Sequence, residues 1–221
     1  MASRLTVSSG DAPLHELAGW AAAGRHAEAP GELSSGAAAA CLRSGLPYVC
    51  ANFVGGATLA AARDAAETLR QHPPKDGDIP VPLPAGLRSL VDLIERLRLE
   101  LAEATGRPLL ESAELQLLSY KEGGSYRRHR DDAAGIQVGC ADRRVRRSVS
   151  MLIYLTPDDW RSEDGGALRA YVDGGATAVD ILPRGGCLVL FDSATVPHEV
   201  LVTRRARTVL AGWYQEARED G

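Results

Sequence analysis

The chain has 221 residues, of which 45% are hydrophobic and 24% charged, and its formal net charge is −4. This hydrophobic content supports a folded core and excludes a wholly disordered chain. A weakly acidic chain is also not expected to coat nucleic acid in general. The length corresponds to roughly one large domain or one and a half average ones.

The cysteines and the apolar segments indicate where the protein works. Cys41, Cys50, Cys140 and Cys187 are scattered without a CxxC pair. This spacing disfavours a disulfide scaffold or a zinc ribbon and favours a reducing compartment. No apolar stretch approaches the roughly 18–20 residues that cross a bilayer, and the N-terminus lacks the basic start and apolar run of a secretory signal. We therefore expect a soluble, cytoplasmic protein without a membrane partner.

The first half of the chain predicts helices around one short strand. Apolar residues recur at helical spacing in two long segments. The predicted elements in chain order are helices at 14–23 and 36–43, a strand at 46–54, and helices at 57–71 and 87–104. A proline-rich stretch at 72–84 predicts a loop, and long loops in compact domains often cover substrates.

The second half of the chain changes to short runs separated by Gly, Pro and Asp, a texture typical of a β-sandwich or barrel. Helices followed by strands indicate an α+β arrangement, with the helices packed on the outside of a β core. Eight strands are predicted, at Glu114–Tyr120, Ser125–Arg130, Arg147–Thr156, Ala167–Tyr171, Ala178–Ile181, Cys187–Phe191, Glu199–Val202 and Arg207–Tyr214.

The most informative polar pattern is His129-Arg130-Asp131. In an extended strand residues i and i+2 face the same side, so the imidazole and the carboxylate would project together. His198, which follows Pro197, is the candidate third ligand. Two histidines and one carboxylate on one face of an octahedral metal leave three positions open, as in non-haem Fe(II) oxygenases. Taken singly, His129 also fits an exposed loop histidine, and His198 fits a turn residue.

The context of these residues resembles a known family. The segment 120–131, YKEGGSYRRHRD, resembles the first metal-binding strand of the prolyl-hydroxylase-like 2-oxoglutarate/Fe(II) dioxygenases, the oxygen-sensing prolyl hydroxylases and their bacterial relatives. Segments 150–160 and 164–169 are similar to the next hairpin, and 182–193 with 197–200 to the strand that leads into the second histidine. The resemblance implies a double-stranded β-helix (jelly-roll) core, with the N-terminal helices packed outside it. We assign residues 45–221 to the dioxygenase domain and 1–44 to a helical or flexible extension.

The resemblance also implies the chemistry. Fe(II) would be bound by His129, Asp131 and His198, with 2-oxoglutarate as cosubstrate, O2 as oxidant, and ascorbate as an optional reductant. The products would be succinate, CO2 and a hydroxylated substrate. Related halogenases carry a small residue at the position of Asp131, so its presence favours hydroxylation.

Arg207 is predicted to anchor the cosubstrate. A guanidinium offers two parallel donors to a carboxylate and forms a more directional clamp than a lysine. Arg207 lies nine residues after His198, a spacing that resembles the oxygen-sensing hydroxylases. By the same resemblance, the 2-oxoglutarate pocket would also be lined by Tyr120, Tyr154, Leu168 and Trp213. Plain core packing is the alternative interpretation for Leu168 and Trp213.

The substrate is less well defined by the sequence. The resemblance implies a prolyl residue in a protein or peptide, with Tyr126 and Arg147 as candidate substrate contacts. Arg147 also fits a solvent-facing residue of an arginine cluster. Residues 77–82 read GDIPVP where the oxygen-sensing enzymes carry an Arg-Gly-Asp-Lys-type segment, which leaves a free amino acid or other small molecule open. The arginines beside the metal-binding strands would attract anionic 2-oxoglutarate and also suit an acidic substrate.

Other functions fit less well. A nucleic-acid demethylase would carry a second arginine six residues beyond Arg207, where this chain has Trp213, so a nucleic-acid partner is not expected. A catalytically silent binding or sensor module would not need all three ligand types together with Arg207. A hydrolytic zinc site could use the same ligands but has no need of Arg207. The oligomeric state is left open.

Overall fold

The structure is a computed structural model that describes residues 33–71, 84–132 and 145–218. The predicted helix at 14–23 and the predicted loop, apart from Pro84, lie outside the described residues.

Three helices of the described residues precede most of the sheet, and they confirm the last three of the four helices that the sequence predicts. They are α1 (Ser35–Arg43), α2 (Gly56–Gln71) and α3 (Ala85–Thr105). Ser34 begins α1, because its side-chain oxygen accepts a hydrogen bond from the amide of Ala37. Gly106 ends α3 in the left-handed conformation, with φ of 70°, which glycine adopts without steric cost. None of the described helices is both long enough and apolar enough to cross a bilayer.

Nine strands in the described part of the chain form two antiparallel sheets. The five-stranded sheet has the order β1-β7-β4-β9-β2, and the four-stranded sheet has the order β3-β8-β5-β6. The strands are β1 Tyr48–Cys50, β2 Leu109–Tyr120, β3 Tyr126–His129, β4 Val145–Tyr154, β5 Leu168–Val172, β6 Thr177–Ile181, β7 Leu188–Asp192, β8 His198–Val200 and β9 Arg207–Ala217. This is the predicted jelly-roll arrangement with helices outside it.

The eight predicted strands are confirmed, although several ends differ. The largest difference is in β2, which begins at Leu109, five residues before the predicted start at Glu114. The strand predicted at 46–54 is too long, because only Tyr48–Cys50 pair with β7 before the chain turns. The amide of Val54 instead donates to the carbonyl of Gly186, which ties this turn to the start of β7.

The side chains of β4 alternate between the two faces of the strand and so contribute to two different apolar layers. Val149, Met151 and Ile153 face the helices and belong to the larger core cluster, whereas Leu152 and Tyr154 face the interior between the two sheets. The helices therefore cover one side of the five-stranded sheet and leave the interior of the jelly roll free for a site.

Helix α1 contributes to the same layer, although most of residues 1–44 lie outside the described part of the chain. Ala38 and Leu42 are buried in the larger cluster, beside α2 and α3. The domain boundary at residue 45 stays a prediction.

The packing of α3 gives a stability prediction. Leu90 is fully buried against the sheet, whereas Leu99 on the same helix is 58% exposed. Leu90→Ala should lower the free energy of unfolding by about 2–5 kcal/mol, because it removes buried methyl groups and leaves a cavity. Leu99→Ala makes the same chemical change in the same helix and should cost less than about 1 kcal/mol. Chemical denaturation measures both variants, and equal losses would contradict the assigned faces of α3.

Candidate active site

Three candidate metal ligands meet where β3 and β8 lie side by side. His129 ends β3 and is paired directly with His198, the first residue of β8, and their ring centroids are 4.3 Å apart. Asp131 follows two residues after His129. One ligand atom from each of the three side chains lies within 4.8 Å of the other two. Residues 69 positions apart in sequence are thereby brought into one small cluster.

Asp131 belongs to this cluster although it lies outside β3, so the alternation of side chains along a strand does not explain its position. Strand β3 ends at His129, and Asp131 lies in a bend beyond it. The Ser150 hydroxyl on β4 donates to Asp131 Oδ2 at 2.6 Å, and the Ser193 hydroxyl lies 2.8 Å from that of Ser150. The other oxygen, Oδ1, lies 3.1 Å from His129 Nε2 and 3.6 Å from Nε2 of His198. The bend and the serine pair together aim Oδ1 at both imidazoles.

The two imidazoles are oriented by the backbone. His129 Nδ1 lies 3.0 Å from the carbonyl oxygen of Arg127, and His198 Nδ1 lies 3.2 Å from that of Val196. A carbonyl can only accept, so each Nδ1 carries the proton and donates, and in the neutral ring Nε2 has a free lone pair. Both Nε2 atoms therefore face Asp131, and each neutral ring would present its Nε2 lone pair to a metal bound there.

The electrostatics of the cluster favour metal binding as well. Burial alone would raise the pKa of Asp131, but hydrogen bonds from His129 and Ser150 and the neighbouring His198 hold the pKa well below its ordinary value. Burial lowers the pKa of His198, which keeps that imidazole neutral. Burial also acts to lower the pKa of His129, but contact with Asp131 outweighs it and raises the pKa. The ionised Asp131 and the neutral His198 are in the state that a divalent metal requires, whereas a protonated His129 would release its proton when the metal binds.

A β-bulge places Tyr126 beside the cluster. Tyr126 pairs with Val200 and His129 pairs with His198, so three steps along β3 match two steps along β8. The edge of the Tyr126 ring meets His129, with centroids 4.7 Å apart, and Tyr126 is 50% exposed. Without the bulge, alternation would place these two side chains on opposite faces of the strand.

The cluster opens into a cavity of about 350 Å³ inside the jelly roll. The predicted cosubstrate residues Tyr120, Leu168, Arg207 and Trp213 line this cavity. Tyr154 does not line it; this side chain is fully buried behind the wall, with its ring centroid 5.3 Å from the guanidinium carbon of Arg207. The predicted substrate residues Tyr126 and Arg147 line the same cavity.

Arg207 at the start of β9 is buried without a counter-ion. Only 2% of the residue is exposed, and its Nη1 donates to the carbonyl of Gly166 at 2.9 Å. Within the described ranges it forms no ion pair, and neither its Nε nor the hydroxyl of Tyr154 has a hydrogen-bond partner. Burial raises the pKa of Tyr154, so its hydroxyl remains a proton donor. A buried guanidinium without an anion is costly, and the arrangement suits an anionic ligand in the cavity.

The sequence allows Arg147 to be either a substrate contact or a solvent-facing residue, and the structure excludes the second because Arg147 does not face solvent. It is 5% exposed, and its guanidinium carbon lies 3.7 Å from the ring centroid of Trp213. Its Nε and Nη2 donate to the two carboxylate oxygens of Glu114 at 3.0 and 2.5 Å. The charge of Arg147 is therefore already balanced. Among the described residues the Trp213 indole nitrogen has no hydrogen-bond partner of good geometry, and its interaction with Asp131 contributes to the lowered pKa of that carboxyl.

Several residues of the site were not singled out from the sequence. Ser150 occupies an interior position of β4 among apolar residues, and that polar break in the alternation could have indicated it. Gly166 has φ of +66°, and a Cβ there would lie 2.9 Å from Thr203 Oγ1 and 3.2 Å from Cδ of Arg207. Only glycine gives Arg207 this close approach to the backbone. Glu114 carried no recognisable sequence signal.

The comparisons with known proteins agree with this geometry. Residues 115–215 match the family described as the 2OG-Fe(II) oxygenase superfamily. This part of the chain, which contains all three candidate ligands and Arg207, is a 2OG-Fe(II) oxygenase domain. The family uses Fe(II) and 2-oxoglutarate, and His129, Asp131 and His198 form a candidate iron site. A search of curated protein sequences finds no significant match.

The solved structures that share this fold include prolyl hydroxylases. A prolyl-4-hydroxylase from Pseudomonas putida is 28% identical with a TM-score of 0.69, and the alignment covers 89% of this chain and 99% of that one. A prolyl hydroxylase from Trichoplax adhaerens, in complex with a hypoxia inducible factor peptide fragment, is 22% identical with a TM-score of 0.67, covering 81% and 88%. A prolyl 4-hydroxylase from Phytophthora capsici is 20% identical with a TM-score of 0.65, covering 87% and 68%.

Proposed function

We propose that this protein is a 2-oxoglutarate- and Fe(II)-dependent dioxygenase that hydroxylates an unactivated C–H bond of a prolyl residue in a protein or peptide. The observation that carries the proposal is a single cavity that holds both an open His-Asp-His cluster and a buried arginine with no counter-ion among the described residues. A metal-binding cluster alone would suit many functions. The buried charge of Arg207 also requires a negatively charged partner, and an anionic cosubstrate would provide one.

The residues present fit the metal. His129 and His198 would each bind through Nε2 and Asp131 through Oδ1, a donor set of two imidazoles and one carboxylate that suits Fe(II) with open positions. Ser150 holds the second carboxylate oxygen at 2.6 Å, which restricts Asp131 to one ligating atom. When bound, the iron and 2-oxoglutarate would supply the oxidising chemistry that yields succinate, CO2 and a hydroxylated product.

The residues around Arg207 fit the cosubstrate. Arg207 would bind the carboxylate of 2-oxoglutarate that is remote from the metal, and its carbonyl contact with Gly166 fixes the direction of the guanidinium. The ring centroid of Tyr120 lies 4.8 Å from the guanidinium carbon, so an aromatic face shields this part of the cavity from water. Removing water strengthens the pairing between a carboxylate and a guanidinium. Leu168 and Trp213 would complete the walls.

A prolyl substrate is supported by the relatives and by the cavity entrance. The Pseudomonas putida protein is a prolyl-4-hydroxylase, and the Trichoplax adhaerens protein was solved with a peptide bound. In this chain the half-exposed ring of Tyr126 lies against His129, where it offers an apolar surface to a ring-shaped side chain next to the metal cluster. The scattered cysteines are the reason for proposing a cytoplasmic location.

The test combines turnover with product analysis. Protein loaded anaerobically with Fe(II) and 2-oxoglutarate, with ascorbate as reductant, is exposed to O2 in the presence of proline peptides or free amino acids. We expect a proline peptide to stimulate succinate formation, with one oxygen atom added to the peptide by mass spectrometry for each succinate formed. Stimulation by a free amino acid alone would overturn the prolyl substrate. Absence of succinate under every condition would overturn the enzymatic function and leave a silent module.

A further inference from the structure

Two arginines at the mouth of the cavity have no anionic partner among the residues that the structure describes. Arg127 and Arg130 flank His129 in sequence, and both line the cavity while their side chains are exposed to solvent. Neither forms an ion pair with any residue in the described ranges. Arg128, between them, is engaged elsewhere, since its guanidinium carbon stacks 3.7 Å from the ring centroid of Tyr171.

With metal and cosubstrate bound, every charge inside the cavity would have a partner of opposite sign except those of Arg127 and Arg130. Arg147 is paired with Glu114. A divalent metal would be balanced by Asp131 and one carboxylate of 2-oxoglutarate, and Arg207 by the other carboxylate. The positive charges at the mouth would therefore stay unbalanced after the metal and the cosubstrate have bound, at the point where the substrate must enter.

We propose that the substrate is an acidic polypeptide segment, whose Asp or Glu side chains on either side of the oxidised residue are bound by Arg127 and Arg130. This inference rests on the proposed function, and it names the chemistry of the substrate at the same site. Guanidinium groups bind carboxylates directionally through two parallel hydrogen bonds. An extended peptide passing over His129 could place one acidic side chain near each arginine.

A polypeptide fits the mouth better than a nucleic acid does. The mouth presents an exposed aromatic ring at Tyr126, and Val200 also lines the cavity, so the surface around the two arginines is partly apolar. The chain as a whole has a formal net charge of −4, which would repel a polyanion that extends beyond the mouth. A short acidic segment is attracted locally and is not opposed over a long distance, because salt screens charges beyond about 10 Å.

The closing experiment compares three peptides of equal length in which proline is flanked by Glu, by Gln or by Lys. With the wild-type protein we expect kcat/KM to fall about tenfold from the Glu peptide to the Gln peptide and further for the Lys peptide, since each exposed ion pair contributes about three- to fivefold. In the double variant Arg127→Gln/Arg130→Gln, the Glu and Gln peptides should give equal values. Anisotropy of a labelled Glu peptide should show the same loss of binding without turnover.

The matched control is Arg128→Gln, which removes the same charge from the same strand but from a side chain outside the cavity. It should keep the preference for the Glu peptide, and a loss equal to that of the double variant would show a general charge effect and overturn the site.

Equal hydroxylation of the Glu and Gln peptides by wild type would overturn the inference while the proposed function stands. Hydroxylation of no peptide would overturn the proposed function and the inference with it. Displacement of the labelled peptide by a short single-stranded oligonucleotide at lower concentration than by the Glu peptide would assign the arginines to nucleic acid.

Discussion

Replacing Asp131 with alanine is expected to abolish succinate formation and to weaken divalent metal binding by more than about 100-fold. Loss of a partner that merely orients a ligand costs about 10–100-fold in metal affinity, and Asp131 is itself a candidate ligand. It is also the only negatively charged group among the three candidates, so two neutral imidazoles would have to hold the metal alone. Titration with Mn²⁺ by calorimetry measures binding independently of turnover.

The neighbouring carboxylate provides the control for this substitution. Asp132 is the next residue, and its side chain lies 3.5 Å from Arg218 Nη2, away from the two histidines. Asp132→Ala removes the same group one position along the chain and should leave both Mn²⁺ binding and succinate formation within about twofold of wild type. Thermal unfolding establishes that both variants are folded. An Asp131→Ala protein that binds Mn²⁺ as wild type does would show that the metal is held elsewhere.

The helices and strands could be predicted from the sequence because their signals are local, whereas the jelly-roll arrangement followed from the family resemblance. Apolar residues at helical spacing indicated α1, α2 and α3, and short runs between turn residues indicated β1, although too long, and the eight later strands. The bulge in β3 could not be predicted, because it depends on the pairing of Tyr126 with Val200 and of His129 with His198, which are far apart in sequence. The same bulge determines that Tyr126 faces the cavity.

The residues of the candidate site also fall into those that the sequence indicates and those that only the strand arrangement brings together. The HxD spacing indicated His129 and Asp131, the family resemblance supported His198 as the third candidate, and the structure brings these residues together. Ser150 could not be assigned, because its role depends on a bend that carries Asp131 across to β4. A sequence lists residues in order, and contacts between strands from different parts of the chain follow only from the sheet topology.

Arg147 and Arg207 show most clearly what the structure adds. Both are arginines on strands of the five-stranded sheet, both are nearly fully buried, and both line the same cavity. Arg147 is paired with Glu114, whereas Arg207 has only a backbone carbonyl as its partner in the described part of the chain. The sequence cannot distinguish a balanced charge from an unbalanced one. The difference supports the proposal that Arg207, and not Arg147, binds the anionic cosubstrate.

Arg207→Met is therefore expected to raise the KM for 2-oxoglutarate by about 100-fold or more, with metal binding unchanged. Methionine fills a similar volume without charge, so the cavity keeps its walls while the carboxylate loses a buried charge-assisted hydrogen-bond partner, a loss of about 3–4 kcal/mol. The variant should also lose the rise in melting temperature that 2-oxoglutarate gives to the wild-type protein, because a ligand stabilises only the state that binds it. Mn²⁺ titration of the same variant should match wild type, since Arg207 contacts none of the three candidate ligands.

The control for Arg207 lies two residues earlier in the chain. Arg205 is partly exposed and forms ion pairs with Asp159 and Asp164, outside the cavity. Arg205→Met removes the same charge and should leave the 2-oxoglutarate requirement unchanged. If Arg207→Met kept both the wild-type KM and the thermal shift, the cosubstrate would be anchored by another residue, and the unpaired guanidinium would need a different explanation. If both arginine variants raised KM equally, the attraction would come from the overall positive field around the site, and not from a direct contact between Arg207 and the carboxylate.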